Sequence, residues 1–549
     1  METNNTGAVV SPFARWMMPS IADTVFIFIF LMILSLGNPF LGDVDTDTAW
    51  HIRTGDYIVS RIEVPKTDIF SYRKYGETWI AHEWLADVIL SLLHRFTGLN
   101  GVVSFSAFVI AFTIFLLFKM LETYRLNILV VTAVTVLAAV TSSIHWLARP
   151  HIFSMWLTLL WYFLLESHQR SPRIRHLFLF PLLMVFWVNL HGGYLVGFVL
   201  LGIYCIGNIT SYLAAIGRGL KPAKKLTGST LLIALLSSVA ALINPYGYRL
   251  LLFPFEILGS RVAMENIVEW HSPSFHQFGG YEFYLLLLIV TFLVSSKKTS
   301  VIELGVALFS IHVSLVGQRY IPIFAILMAP ILAQRLDDLC RAALSRQSPL
   351  PVVRGLQMRI TESISRVQFL NRNLSGHGYP IAVGLFMIFS LHNGGRAFGK
   401  TVFDYKFEGT RYPIRAVEFV RQNSLSGNMY NSYVFGGYLI YRFFPDPRYR
   451  VFVDGRGIVG GEDYFSEYLK VSQLTPEWQE TLDKYKVNWI IEETNSPLTV
   501  FLSTYHEWKL VYSDNIASIF VKDTQENREV IEKYPGVKPA YGRDETGKI

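Results

Sequence analysis

Long apolar runs without charged residues recur along the first three quarters of the chain. They include residues 24–36, 105–118, 128–140, 231–243, 284–294 and 381–391. With their flanks, most of these runs reach the roughly 20 residues that a helix needs to cross a bilayer. By this criterion the chain has about eleven transmembrane helices, which predicts a polytopic α-helical membrane protein.

Two segments depart from this pattern. Between residues 83 and 96 the apolar residues recur at helical spacing, with Asp87, Ser91 and Arg95 on the opposite face, which predicts a helix lying on the membrane surface. Beyond residue 405 the apolar runs shorten, and residues 449–454 and 487–491 have the pattern of strands between helices. We therefore predict a transmembrane domain over residues 1–400 with a first external loop at 39–100, an α/β domain at 401–525 and a polar tail at 526–549.

The composition supports a membrane protein. Hydrophobic residues make up 51% of the chain and charged residues 17%, which excludes an ordinary soluble enzyme. The net charge of +7 comes from short basic clusters between apolar runs, so we expect no nucleic-acid partner. Cys205 and Cys340 are the two cysteines, and they support neither a disulfide framework nor a thiolate metal site.

The basic clusters predict an orientation. Lys and Arg concentrate in alternate loops, around residues 119–125, 170–175, 218–225, 297–298 and 335–372, which the positive-inside rule assigns to the cytoplasm. The remaining loops and the C-terminal α/β domain then lie outside. Ionisable side chains near a membrane cost free energy unless they face a polar cavity. The alternation of spans and loops places many ionisable and aromatic residues on that outer side. They include Asp43, Asp45, Asp47, Trp50, His51, Arg53, His82, Glu83, His145, Arg149, His151, Asn189, His191, Glu269, His271, Arg319 and Tyr320.

The first external loop opens with three aspartates at alternate positions, Asp43, Asp45 and Asp47. In an extended segment alternate residues share a face, so these carboxylates could converge on a divalent cation such as Mg²⁺ or Mn²⁺, or position one of them as a base. A solvated acidic loop is the alternative, but Trp50, His51 and Arg53 lie beside the run and favour a binding site.

The pair His82-Glu83 could transfer protons at the start of the surface helix, or Glu83 could simply cap that helix. A zinc peptidase is excluded, since Ala86 stands where the second histidine would be. Arg319 suits a phosphate clamp, with a snorkelling side chain as the alternative. Arg149, His151, His191, Glu269, His271 and Tyr320 are further candidates for substrate contacts.

These residues carry a family resemblance. The segments 45–55, 82–85, 436–439 and 453–456 resemble a group of prokaryotic membrane proteins placed near the GT-C glycosyltransferases, as do the acidic first loop, the surface helix, the many spans and the C-terminal domain. That superfamily includes protein O-mannosyltransferases, aminoarabinose transferases and the catalytic subunits of oligosaccharyltransferases. The resemblance implies a multi-pass protein of a prokaryotic inner membrane.

The resemblance also implies an activity. GT-C enzymes take a sugar from a polyprenyl-phosphate carrier and pass it, with inversion, to an acceptor outside the cytoplasm. By this likeness Asp45 or Asp47 would be the base or a metal contact, and Arg319 would hold the donor phosphate. A transporter or flippase of a lipid-linked substrate, or a non-catalytic scaffold in envelope assembly, are the alternatives. A transporter or flippase would show inverted repeats and charged residues near the midplane of the bilayer, which the sequence lacks.

Overall fold

The computed structural model describes residues 11–36, 47–346, 350–374, 376, 378–457, 459 and 461–540. Among these residues, the regular structure up to residue 392 is helical, and a small domain with a four-stranded sheet follows. The predicted architecture, a helical membrane region followed by an α/β domain, is confirmed. The division at residues 400 and 525 stays a prediction.

The membrane region is built from sixteen described helices. They are Pro12–Met17, Ile21–Leu36, Asp47–Arg61, Trp84–Glu122, Ile128–Ser142, His151–Arg170, Ile174–Leu190, Tyr194–Gly217, Lys224–Ala240, Tyr248–Gly259, Arg261–Asn266, Gly280–Val294, Val301–Val316, Ile321–Ser345, Pro351–Asn373 and Gly378–His392.

Several of these helices are apolar enough for a bilayer. Within the described residues, four helical segments have the length and composition to cross a membrane: Arg15–Ser35, Trp84–Glu122, Ile128–His145 and Tyr194–Gly217. Four shorter apolar helices accompany them: Ile174–Leu190, Gly280–Val294, Val301–Val316 and Gly378–His392. The chain is thus a multi-pass membrane protein, while the total of about eleven spans and their orientation stay predictions.

The helix Trp84–Glu122 breaks at Gly98, whose backbone angles (φ 64°, ψ −158°) are not helical. Glycine adopts this region without the steric cost that a Cβ would bring. The break separates residues 84–97, which we call the surface helix, from the apolar segment that follows. The helix expected from the spacing of apolar residues at 83–96 is present, whereas its position on the membrane surface stays a prediction.

The first-loop helix, Asp47–Arg61, packs against the surface helix through Gly55. A Cβ at Gly55 would lie 2.0 Å from the backbone oxygen of Asp87 and 2.5 Å from Cβ of Ser91. Only glycine allows so close an approach, and this approach brings the two helices' polar residues together.

The C-terminal domain has the strand order β3-β4-β6-β5. The strands are β3 (Asn428–Asn431), β4 (Val487–Glu493), β5 (Trp508–Ser513) and β6 (Ala517–Lys522), with β3 parallel to β4 and the other neighbours antiparallel. A two-strand hairpin, β1 (Arg396–Ala397) and β2 (Lys400–Thr401), precedes it. The helices of this domain are Ile414–Gln422, Tyr433–Phe443, Asp463–Ser472, Trp478–Lys484, Pro497–Leu502 and Arg528–Lys533.

Two parts of this domain differ from expectation. The strand expected at 487–491 is present as β4, whereas residues 449–454 join no strand of the sheet and form one bridge, from Val451 to Ser71 of the first loop. The segment expected to be a polar tail begins with the helix Arg528–Lys533, because Val530 is buried against the domain.

The first loop forms part of the core of the C-terminal domain. Phe70 and Trp79 are buried in the same apolar cluster as the sheet residues. Arg456, itself buried, forms ion pairs of 2.7 Å with both Asp68 of the loop and Asp454. The Asp454-Gly-Arg456 turn therefore has the structural role that a turn motif suggests, and it holds the loop against the domain.

Candidate active site

A cavity of about 1260 Å³ lies where the first loop, one end of the membrane helices and the C-terminal domain meet. Most of the predicted site residues line it: Asp47, Trp50, His51, His82, Glu83, Arg149, His151, His191, Glu269, Arg319 and Tyr320. Asp47 and Tyr320, which are 273 positions apart in sequence, thus face one space.

Four predicted residues are not in this lining. Asp43 and Asp45 lie outside the described residues. Arg53 points away from the cavity, where it donates a hydrogen bond of 2.7 Å to the backbone oxygen of Tyr441 and so ties the first-loop helix to the C-terminal domain. His271 is exposed, and its Nε2 lies 3.0 Å from the backbone oxygen of Glu265.

Glu83 is the centre of a cluster of imidazoles. Its Oε1 lies 3.3 Å from Nε2 of His191 and 3.6 Å from Nε2 of His82, and its Oε2 lies 3.7 Å from Nε2 of His51. Glu83 is the N-cap residue, immediately before the surface helix, but its side chain makes no capping hydrogen bond. The structure thus gives no support to the alternative that Glu83 only caps this helix.

The proton of neutral His191 can be placed from its neighbours. Its Nδ1 accepts a hydrogen bond of 2.9 Å from the backbone N–H of Gly193 and lies 2.7 Å from the hydroxyl of Ser154. Because an N–H can only donate, Nδ1 carries no proton, and neutral imidazole must then carry it on Nε2. His191 therefore donates toward Glu83.

His51 connects Glu83 to a carboxyl that the sequence did not mark as a site residue. Its Nδ1 lies 2.6 Å from Oδ1 of Asp87, and both side chains are buried. The ring of His51 also stacks on Trp50, with 3.6 Å between ring centroids. Asp87 is four residues after Glu83, so both face the same side of the surface helix.

Burial sets the protonation of this cluster. It raises the pKa of Glu83 to about 8, although the positive charges of Arg319 and Arg149 oppose that rise. Burial also lowers the pKa of His82 to about 4 and takes the pKa values of His51 and His191 well below the usual value, helped by nearby arginines. The imidazoles are thus neutral near pH 7, and the carboxyl can hold a proton there.

Asp47 belongs to a separate ionic cluster across the cavity. Nη1 of Arg149 lies 3.1 Å from Asp47 and 2.8 Å from Glu269, and the indole N–H of Trp50 donates to Asp47 at 3.0 Å. Burial raises the pKa of Glu269, but the arginine charges outweigh it and the net shift is downward. Glu269 is therefore ionised at neutral pH.

The C-terminal domain closes the cavity over Asp47. A Cβ at Gly455 would lie 1.8 Å from Oδ1 of Asp47. Tyr433 and Val434, at the start of a helix of the same domain, also line the cavity. The turn that follows residue 453 therefore supplies a wall of the site, which the sequence motif alone did not indicate.

Arg319 is positioned without an ionic partner. Its guanidinium lies 4.1 Å from the ring centroid of Trp270, within range of a cation–π interaction. No residue in the described part of the chain forms an ion pair or hydrogen bond with this guanidinium. Its donors are thus available to an anion in the cavity.

One wall of the cavity is apolar. It is formed by Leu195 and Val196 and by residues of the helix Tyr248–Gly259, among them Phe253, Ile257 and Leu258. Such a wall suits hydrocarbon. It lies beside the imidazole cluster, since the ring centroids of Phe253 and His82 are 5.0 Å apart, and Glu256 of the same helix also lines the cavity.

The described residues do not fit a metal ion. No three His, Cys, Asp or Glu side chains among them are arranged to hold one. Nε2 of His191 carries a proton, and Nε2 of His151 faces the backbone oxygen of His145 at 2.7 Å, so neither nitrogen offers a free lone pair. Asp47 is already engaged by Arg149. The predicted cation would need Asp43 or Asp45, and we derive no step through a metal.

No protein-family model and no curated protein matches the sequence. Solved structures do match the fold. The Archaeoglobus fulgidus oligosaccharyltransferase tethered to an acceptor peptide with the NVT sequon is 12% identical, with a TM-score of 0.52 over 86% of this chain and 69% of that chain.

The oligosaccharyltransferase AglB of the same organism, in complex with an inhibitory peptide and a dolichol-phosphate, is 12% identical with a TM-score of 0.50 over the same shares, 86% and 69%. ArnT from Cupriavidus metallidurans, bound to undecaprenyl phosphate, gives a TM-score of 0.43 at 11% identity over 92% of this chain and 98% of that chain, which is too weak to argue from. At these identities the likeness establishes architecture rather than substrate. The chain therefore shares the fold of the Archaeoglobus fulgidus oligosaccharyltransferases.

Proposed function

We propose that the protein is an inverting glycosyltransferase that moves a sugar from a polyprenyl-phosphate-linked donor to an acceptor outside the cytoplasm, either a glycan, a lipid or a protein. One observation carries this proposal. The guanidinium of Arg319, which has no ionic partner among the described residues, and the largely buried carboxyl of Glu83 face the same cavity beside an apolar wall. The fold shared with oligosaccharyltransferases supports it, as does the dolichol-phosphate in one of those structures.

The donor would lie with its hydrocarbon chain on the wall formed by Phe253, Ile257 and Leu258. Its phosphate would accept paired hydrogen bonds from Arg319, whose charge stabilises the phosphate as it leaves. The stacking on Trp270 holds the guanidinium in place before the donor binds.

Glu83 is our candidate for the base. It would take the proton of the acceptor hydroxyl while the acceptor oxygen forms its bond to the anomeric carbon and the bond from that carbon to the phosphate oxygen breaks. Asp47 suits this role less well, because Arg149 and the N–H of Trp50 already occupy its oxygens. We assign Asp47 to positioning Arg149 and the adjoining wall.

The resemblance to GT-C enzymes leaves a second assignment for the base. Asp45 or Asp47 would serve as the base or as a contact to Mg²⁺ or Mn²⁺. By the same resemblance the protein resides in a prokaryotic inner membrane, with its C-terminal domain on the outer side. Transfer measured with EDTA and then with added Mg²⁺ or Mn²⁺ tests the cation, and the variants below test the base.

The experiment measures transfer of radiolabelled sugar from a panel of polyprenyl-phosphate donors, with purified protein in lipid. We expect Glu83→Gln to lose about 10²- to 10⁴-fold in rate, as for a general base, and Arg319→Ala to lose about 10²-fold or more. Glu63→Gln and Arg61→Ala are matched controls, because both residues are exposed in the first loop and lie outside the cavity lining.

Other outcomes have definite meanings. Loss of transfer in Asp47→Asn or Asp45→Asn with full activity in Glu83→Gln would move the base to the acidic run. Movement of donor across the bilayer without sugar transfer would favour a flippase. No use or binding of any donor, with all variants complementing a deletion, would favour a scaffold.

A further inference from the structure

Asp87, His51 and Glu83 form a continuous line of titratable groups. Oδ1 of Asp87 lies 2.6 Å from Nδ1 of His51, and Nε2 of the same ring lies 3.7 Å from Oε2 of Glu83. Both ring nitrogens of one buried imidazole thus face carboxyl oxygens. The mechanism proposed above uses Glu83 alone and gives Asp87 no task.

This geometry allows two arrangements of the same protons. In the first, Glu83 is protonated toward Nε2, and Nδ1–H of His51 donates to ionised Asp87. In the second, Nε2–H of His51 donates to ionised Glu83, and protonated Asp87 donates to Nδ1. The two arrangements have the same total charge, so the cavity can pass from one to the other without gaining or losing a proton.

The surroundings favour sharing one proton in this way. Titratable and charged groups from several elements face this line. They are His82 beside Glu83, Arg149 and His151 at the start of His151–Arg170, His191 after Ile174–Leu190, Tyr246 after Lys224–Ala240, and Arg319. The imidazoles are neutral. The charges of Arg149 and Arg319 act against the raised pKa of Glu83, and the ion pairs found among the described residues include none between Glu83 and an arginine. Two buried carboxyls without an ionic partner at close range do not both ionise readily.

We infer that Asp87 and His51 are positioning residues that take up and return the proton of Glu83, so that Glu83 becomes an ionised base without a proton leaving the cavity. The inference rests on the proposed function for its catalytic meaning, but the proton sharing itself does not. A shift of Glu83 toward His51 closes the 3.7 Å gap when substrate binds, as catalytic hydrogen bonds commonly shorten in the substrate complex.

The proton balance of the reaction then closes. Before the reaction, Asp87 is protonated and Glu83 is ionised, with donor hydrogen bonds from His51 and His191. The acceptor hydroxyl gives its proton to Glu83, its oxygen bonds to the anomeric carbon, and the phosphate leaves with the electrons of the broken bond. The cavity now holds one proton more, which Glu83 releases as the products leave. Asp87 then returns its own proton to Glu83 through His51, which restores the starting arrangement.

The first test needs no substrate. Difference infrared spectroscopy of the protonated-carboxyl stretch follows the titration of buried carboxyls in the purified protein. All variants are made in a Glu492→Gln background, because burial also raises the pKa of Glu492, in the C-terminal domain, to about 8. We expect a plateau with one shared proton in the parent protein and a single step in each of Glu83→Gln and Asp87→Asn.

Comparing the infrared titration curves of the parent protein and the two variants shows whether the two carboxyls interact. If the parent curve equals the sum of the two single-variant curves, the carboxyls do not interact and the inference fails. Asp56→Asn is the matched control: Asp56 lies on the first-loop helix, is paired with Arg53 and Arg95, and its removal leaves the curve unchanged. Thermal unfolding of each variant confirms that it folds.

The second test is the pH dependence of transfer. We expect a flat rate over the range of the shared proton in the parent protein, and in Asp87→Asn and His51→Phe a rate that rises about tenfold per pH unit below the pKa of Glu83. Parallel profiles, lower but of the same shape, would mean that Asp87 and His51 are only structural and would overturn the inference. Coupled infrared titration without any transfer would instead leave the proton sharing intact and refute the glycosyltransferase.

Discussion

Replacing Gly55 by alanine tests the close packing on which the site depends. The new Cβ would lie 2.0 Å from the backbone oxygen of Asp87 and 2.5 Å from Cβ of Ser91, so no side-chain rotation relieves the clash. The helices would have to separate by about 1.4 Å to restore an ordinary contact. Overpacking costs about 1–3 kcal/mol, which outweighs the roughly 0.5–1 kcal/mol that alanine gains over glycine within a helix.

The same displacement carries Asp87 away from His51, and their 2.6 Å hydrogen bond would lengthen beyond bonding distance. We therefore expect Gly55→Ala to unfold at a lower temperature and to lose the coupled carboxyl titration. Gly202→Ala is the control, because nothing lies within 4 Å of a Cβ there and the site is far from the cavity lining. Unchanged unfolding temperature and unchanged coupling in Gly55→Ala would refute this account of the packing.

Three further predictions follow from the site. Between pH 6.5, the ordinary pKa of histidine, and pH 8, Glu83 in the folded protein keeps a proton that the unfolded chain has lost, so the stability of the protein falls as pH rises. Thermal unfolding across this range should show a weaker decline in Glu83→Gln than in the parent protein. Equal declines would contradict the raised pKa of Glu83. In Gly455→Ala the new Cβ would lie 1.8 Å from Oδ1 of Asp47 and would displace the cavity wall, so we expect the rate of transfer to fall about 10²-fold. A normal rate would show that the C-terminal domain does not pack closely against this carboxylate. Trp270→Ala removes a cation–π contact with Arg319 worth about 0.5–2 kcal/mol, so the KM for the donor should rise about 2- to 30-fold. Trp270→Phe should retain most of the affinity. An unchanged KM in Trp270→Ala would show that this residue does not contribute to donor binding.

The membrane architecture could be predicted from sequence because a bilayer imposes long apolar helices, and β4 could be predicted from its buried apolar run. Residues 449–454 have the same local pattern but pair at Val451 with Ser71, far away in sequence. Local pattern gives strand tendency and cannot identify such a partner. The helix Arg528–Lys533 was missed for a similar reason, since its one buried anchor, Val530, stands among polar residues.

Most of the residues that line the cavity could be predicted, because the alternation of helices and loops places them at one end of the helical bundle. Arg53 was misjudged because it follows His51 by two positions, about 200° around a helix, and so faces Tyr441. Asp87 was assigned to the polar face of its helix, and its carboxyl does face a polar group, the imidazole of His51. Nothing in the sequence showed that this face meets His51, because that contact depends on the close approach at Gly55.

The shared core of the first loop and the C-terminal domain has a consequence for biosynthesis. Arg73 binds Glu467, a residue 394 positions later, and Phe70 and Trp79 pack among residues of the sheet. During translation the first loop is synthesised long before the C-terminal domain. The aromatic side chains of the loop therefore stay exposed while the intervening helices are inserted. We expect premature termination before residue 490 to leave a nascent chain that recruits chaperones, and a separately expressed C-terminal domain to need the loop peptide, supplied in trans, to fold.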